Sequence, residues 1–157
     1  MIAMAALVLV LPACDSSDSD ETGTSLLTPT ADEIAASSFT GASSCEVILY
    51  SNSGSSSGTI TDDDCQYDFN NGASRSDLHF FKATGATTVR VTMTSEAFAP
   101  EIILNSESAE LAVASPDDDQ DRTATFTARV GPGLYQIIAG GSEGGRGDYT
   151  VTIAEAN

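Results

Sequence analysis

Thr88-Val89-Arg90-Val91-Thr92-Met93-Thr94 decides the fold class. Val89, Val91 and Met93 fall on one side of an extended chain, and Arg90, Thr92 and Thr94 fall on the other. That period of two is the mark of a strand with one face in a core and one in water. Phe126, Ala128 and Val130 repeat it against Thr125, Thr127 and Arg129. Tyr135, Ile137 and Ala139 form a third set, and Tyr149, Val151 and Ile153 a fourth. β-Branched residues fill these runs, as a pleated, half-buried surface favours.

Outward from these strands the chain is punctuated by turn formers. Gly54 to Gly58, Pro116 to Asp121, Gly131-Pro132-Gly133 and Gly140 to Gly147 break the alternation. The runs predict about nine short strands, near 45–50, 58–62, 77–83, 87–94, 100–105, 109–114, 123–130, 134–139 and 147–154. No helical period of useful length lies between them. The expected fold is all-β: an antiparallel β-sandwich over residues 45–157, in which each sheet needs only one apolar face. Its expected core contains Val89, Val91, Met93, Phe126, Ile137, Tyr149 and Val151.

Asp15 to Ser44 lacks that period and is rich in Ser, Thr, Asp and Ala. It reads as a largely disordered tether, with a helical turn at Asp32 to Ala36 following Pro29. Ahead of it, Met1 to Ala13 is an apolar run too short to span a bilayer as a helix. Its length is that of a signal-peptide core, and it ends in small residues. No basic residue precedes it; the first is Arg75, so the natural start is expected further upstream. Leu11-Pro12-Ala13-Cys14 resembles the lipobox of bacterial lipoproteins. The resemblance implies cleavage before Cys14, acylation of Cys14, and a membrane anchor made by several acyl chains. Three segments are therefore expected: signal peptide 1–13, lipidated Cys and acidic tether 14–44, and β-sandwich 45–157. With Cys14 set aside, Cys45 and Cys65 are the pair for one disulfide, which an exported location permits. Closing that loop contributes roughly 3 kcal/mol in the chain-entropy view.

The 157 residues carry 23 Asp and Glu against 6 Lys and Arg, a net charge of −17. Such a surface repels phosphate backbones, which argues against nucleic acid as a partner. It favours soluble cations and basic partners.

The order of several short motifs resembles the bacterial pre-peptidase C-terminal domain, a jelly-roll-like β-sandwich often appended to secreted proteases. Ser57-Gly58-Thr59-Ile60-Thr61 opens the pattern, and Ser76-Asp77-Leu78-His79-Phe80-Phe81 stands where the family has an Asp followed by aromatic strand residues. Gly85 precedes the strand of Val89. Ala97-Phe98-Ala99-Pro100 resembles the family's Phe-Asp-Pro, with Ala99 in place of Asp. Gly133-Leu134-Tyr135 and Gly147-Asp148-Tyr149 match its paired Gly-Tyr strands. The resemblance runs from Gly58 to Ile153. It implies the fold, an extracytoplasmic setting and an accessory rather than catalytic role. Some relatives, notably in collagenases, bind calcium at the domain edge, through ligands that do not map residue by residue onto this sequence.

Few residues carry candidate chemistry. His79 is the one His, sits inside an aromatic strand, and reads as structural rather than as the base of a Ser-His-Asp triad. Asp117, Asp119 and Asp121 alternate in an acidic loop and are the expected calcium ligands. The EF-hand pattern fails there, with Arg122 at the Gly position and Ala128 at the Glu position. Asp62-Asp63-Asp64 is a second acidic cluster, beside Cys65. Arg146-Gly147-Asp148 spells an integrin-binding triplet that the turn before Tyr149 explains as well. The functional expectation is a non-enzymatic binding or structural module of the bacterial cell envelope, anchored by lipid and displayed outside the cytoplasm. The alternative is a calcium-stabilised accessory domain for extracellular protein or polysaccharide. A hydrolase ranks third, because no nucleophile motif accompanies His79.

Overall fold

The computed structural model describes residues 25–39, 45–50, 54–69, 72–118 and 120–156. Its strands are β1 (Leu26–Leu27), β2 (Val47–Leu49), β3 (Gly54–Ile60), β4 (Cys65–Phe69), β5 (Gly72–Ala83), β6 (Thr87–Thr94), β7 (Pro100–Ser106), β8 (Glu110–Ala114), β9 (Thr123–Val130), β10 (Gly133–Gly141) and β11 (Gly147–Glu155). One helix, α1, spans Ala31–Ala36. The first sheet runs β1-β5-β10-β7-β8, with β2 and β4 also paired to β5; the second runs β3-β11-β6-β9. The two sheets enclose one apolar cluster, so the chain is the β-sandwich that the alternation predicts.

That core is built from the inward positions of both sheets. Val89, Val91 and Met93 of β6 and Tyr149, Val151 and Ile153 of β11 meet Ile102, Leu104, Tyr135, Ile137 and Phe81 from the first sheet. Phe126 departs from the expected core: it lies on β9, the last strand of its sheet, and is only partly buried.

Three features differ from the sequence expectation. Among the described residues there are eleven strands rather than about nine, because β1 and β4 add to those expected. The pairing is antiparallel except at β2, which runs parallel to β5 in the register Val47↔Leu78 and Leu49↔Phe80. The segment 25–39, expected as tether, is folded onto the sandwich; the rest of 14–44 up to residue 24, with residues 40–44, lies outside the described residues. Leu26 is fully buried and pairs with Ala83.

Leu26 joins the sandwich core, and the rest of the segment answers to the outer face of the first sheet. Leu78, Phe80, Ile103 and Ile138 point away from the sandwich core and form a second apolar cluster. Left in water, that face would forfeit about 25 cal/mol per Å². Ile34 of α1 covers it, and Phe39 packs edge-on against Phe80 with ring centroids 5.6 Å apart. The helix starts at a capping box in which Thr30 and Glu33 bond each other's backbone N–H groups. Glu33 also takes an ion pair from Lys82 of β5.

Candidate metal centre

β5 is long, and three short strands share its edge in turn. β4 covers its beginning, up to the pair Cys65↔Ser76. β2 takes over at Val47↔Leu78, and β1 follows at Leu27↔Lys82. Asp77 therefore sits at the junction where β4 stops and β2 starts. The two chain ends that meet there are Asp64-Cys65 and Cys45-Glu46. A disulfide joins Cys45 to Cys65, with Cα atoms 5.2 Å apart. The pairing expected from the sequence is thus present, and it brings Glu46 and Asp64 to the same point.

One carboxylate oxygen each from Glu46, Asp64 and Asp77 lies within 4.8 Å of the other two. Oxygen ligands of Ca²⁺ stand about 2.3–2.6 Å from the ion, so opposite ligands are about 4.6–5.2 Å apart. One cation fits such a set. Glu46 is exposed, Asp64 half-buried and Asp77 only 1% exposed. Asp64 is oriented from its own turn: Oδ2 accepts from the Thr61 backbone N–H at 2.5 Å and from its hydroxyl at 3.1 Å. Arg75 donates to the Asp64 carbonyl at 2.7 Å, and the Leu78 N–H to the Glu46 carbonyl at 3.1 Å.

Asp77 is held from the core side. Its Oδ2 accepts from the Tyr149 hydroxyl at 2.7 Å, and that hydroxyl is 2.9 Å from His79 Nε2. A phenol has one proton, and here it goes to Asp77. Nε2 must then carry the imidazole proton and donate, an assignment made from the hydrogen bonding. Tyr149 comes from the opposite sheet and reaches this point past Gly58. A Cβ at Gly58 would collide with the Tyr149 ring and hydroxyl, so the glycine leaves the room that this placement of the ring needs.

Two of the four buried side-chain atoms without a hydrogen-bond partner among the described residues, Asp77 Oδ1 and His79 Nδ1, belong to this site; the others are Glu101 Oε2 and Ser142 Oγ. A buried carboxylate oxygen without a donor is costly, and a cation supplies what no protein donor does. Burial pushes the Asp77 carboxyl up to about 6; the Tyr149 hydrogen bond works against this, and the Asp64 and Glu46 charges reinforce it. Burial holds His79 down at about 3, so its ring stays neutral. His79 is 0% exposed, with Nε2 engaged by Tyr149, so it is not placed to meet a substrate from solvent.

The other sequence candidates lie elsewhere. Asp117 and Asp121 are exposed, and Asp119 lies outside the described residues. Asp118 uses its side chain on the Gln120 N–H, which closes the turn locally. Among the described residues no metal-sized group of carboxylates includes Asp117 or Asp121. Cys14 also lies outside the described residues. In the Arg146-Gly147-Asp148 turn, Arg146 pairs with Asp62 at 3.0 Å and donates to the Gly144 and Gly145 carbonyls. Asp148 accepts from Thr59 at 2.6 Å. Both charged groups of the triplet are therefore engaged within the chain.

No family model matches the chain, and no curated protein matches it. Among solved structures, the pre-peptidase C-terminal domain of collagenase from Bacillus anthracis is similar, with a TM-score of 0.50. This chain has the fold of a pre-peptidase C-terminal domain. The match spans 69% of this chain and 90% of that domain at 15% identity, a likeness of fold alone. It agrees with the resemblance carried by Ser76 to Phe81 and by the two Gly-Tyr strands.

Proposed function

We propose that the chain is a non-catalytic accessory module of the bacterial envelope, anchored through Cys14. Its fold is locked by Ca²⁺ at Glu46, Asp64 and Asp77, and it engages an extracellular protein or polysaccharide. The observation that carries the cation is the convergence of three carboxylates within 4.8 Å, one of which, Asp77, has a buried oxygen with no hydrogen-bond partner among the described residues. All-oxygen donors favour a hard cation, and Ca²⁺ accepts the irregular geometry of a strand junction better than Mg²⁺. The fold supports the accessory role, and the lipobox-like Leu11 to Cys14 supports the anchor.

The test is calcium-dependent unfolding. With the affinity of extracellular modules, about 10⁻⁴ M at the tight end, about 10 mM Ca²⁺ stabilises the folded state by about 2.7 kcal/mol. Mg²⁺ at matched ionic strength controls for simple screening of a protein at −17. Glu46→Gln/Asp64→Asn is expected to lose the calcium response, while Asp117→Asn keeps it. An equal response to Mg²⁺, or a response lost only in Asp117→Asn, sinks the assignment. The anchor is checked separately: a palmitate analogue fed to cells should label the wild type and not Cys14→Ser. Equal labelling of both removes the anchor.

A further inference from the structure

The Cys45–Cys65 bridge stands between two of the three carboxylates. Glu46 follows Cys45 directly, and Asp64 precedes Cys65 directly. The bridge is the covalent link between the end of the chain that enters β2 and the end that enters β4. Each end is held beside the bridge at its carbonyl, Glu46 by the Leu78 N–H and Asp64 by Arg75. β2 contributes three residues of pairing, and Asp64 belongs to a turn held by Thr61 and Arg75. Asp77, by contrast, is fixed within a strand paired on both edges and by Tyr149 from the facing sheet. Both cysteines are partly exposed.

We propose that the Cys45–Cys65 disulfide is a redox switch for the cation site, closing the Glu46–Asp64–Asp77 cluster when oxidised and opening it when reduced. The inference rests on the cation reading above. The step balances as thiol–disulfide exchange. A dithiol reductant gives up two electrons and two protons and becomes a cyclic disulfide. The Cys45–Cys65 bond breaks to two thiols. Three like charges at one point repel one another. With the bridge open, Glu46 and Asp64 swing away from Asp77 unless a cation holds them, and the cation must then meet the ordering cost that the bridge otherwise meets beforehand. Linkage makes the coupling reciprocal: whatever factor the bridge adds to calcium affinity, calcium adds to the stability of the bridge.

The experiment uses the full chain and calcium chloride. Calcium affinity is measured by calorimetry on oxidised protein, on protein reduced with a dithiol, and on Cys45→Ser/Cys65→Ser. Near-UV circular dichroism confirms that each is folded, with sucrose added where the bridge-free forms need it. The reduced and double-mutant forms are expected to bind about tenfold more weakly or worse. In the reciprocal arm, calcium should lower the midpoint potential of the disulfide by about 30 mV for a tenfold coupling. That shift should vanish in Glu46→Gln/Asp64→Asn. Folded bridge-free protein that binds calcium as tightly as the oxidised form overturns the switch, and so does a midpoint potential indifferent to calcium. If the oxidised wild type binds no calcium at all, the cation reading itself has failed.

Discussion

Replacing Asp77 by Asn is expected to stabilise the metal-free protein at about pH 8 and to abolish its response to calcium. The opposite signs come from one cause. Asp77 is buried, and its carboxyl is pushed up to about 6, chiefly by desolvation, from an ordinary value of 3.8. A raised carboxyl pKa means that the fold prefers the protonated form. The contribution is full below the ordinary value and is lost as pH rises through about 6. Above that, the metal-free fold carries a buried anion at a cost of at most about 3 kcal/mol. Asn keeps an acceptor for the Tyr149 hydroxyl, has nearly the same shape, and offers N–H donors towards Glu46 and Asp64. The variant should therefore be more stable than wild type in EDTA at about pH 8, with the difference fading at about pH 4. His79 titrates with the opposite sign: held at about 3, it costs stability as pH falls below the ordinary value of 6.5. It is present in both proteins, so its contribution cancels in the difference. Urea melts at the two pH values, with and without calcium, read both signs. A variant less stable than wild type in EDTA at both pH values would show that Asp77 is an ordinary structural hydrogen-bond acceptor.

The site was harder to read than the fold, for reasons that particular residues make clear. Val89 to Met93 and Tyr149 to Ile153 declare their strands because a half-buried strand writes its burial into every second residue. β4 hides: Cys65 to Phe69 alternates over only five residues, directly after the acidic run at Asp62. The Asn71-Gly72 dipeptide that follows is the hairpin signal that could have exposed it. The segment around Ile34 hides for a different reason. Its composition is that of a tether; Ile34 and Phe39 settle it on the apolar outer face of β5 and β10, and Leu26 enters the sandwich core. The Thr30-x-x-Glu33 capping box was the local clue.

The three carboxylates were illegible as a cluster. Glu46, Asp64 and Asp77 are far apart in the chain, and the register of β2 and β4 along β5, with the Cys45–Cys65 bridge, unites them. Charge density pointed instead to Asp117 to Asp121, of which Asp117 and Asp121 are exposed. What separates the two places is burial. A carboxylate that is sequestered without a donor calls for a counter-ion, and one in water does not. The cysteines were legible, and their neighbours in sequence were the remaining hint.

Val91→Asp is expected to abolish cooperative folding. Val91 is fully buried at the centre of the sandwich, opposite Phe126 on β9 and Ile153 on β11. A carboxylate there meets neither water nor a cation, and its side chain is ringed by apolar groups. Burying an unpaired charge costs several kcal/mol even when the group neutralises itself by taking up a proton. A domain of this size has only about 5–15 kcal/mol in hand. The control is Thr127→Asp, on the outer face of the same sheet beside exposed Arg90, to which it is paired in register. Opposite charges at that spacing stabilise slightly, so the control should stay within about 0.5 kcal/mol of wild type. The pair also tests register. Strand side chains alternate, so a shift of β6 by one residue would turn Val91 outward and reverse its outcome, and the same shift of β9 would reverse that of Thr127. A broad, non-cooperative urea transition for Val91→Asp beside a wild-type-like one for Thr127→Asp supports Val89, Val91 and Met93 as the inward face of β6. Wild-type-like unfolding of Val91→Asp would mean that β6 turns its other side to the core.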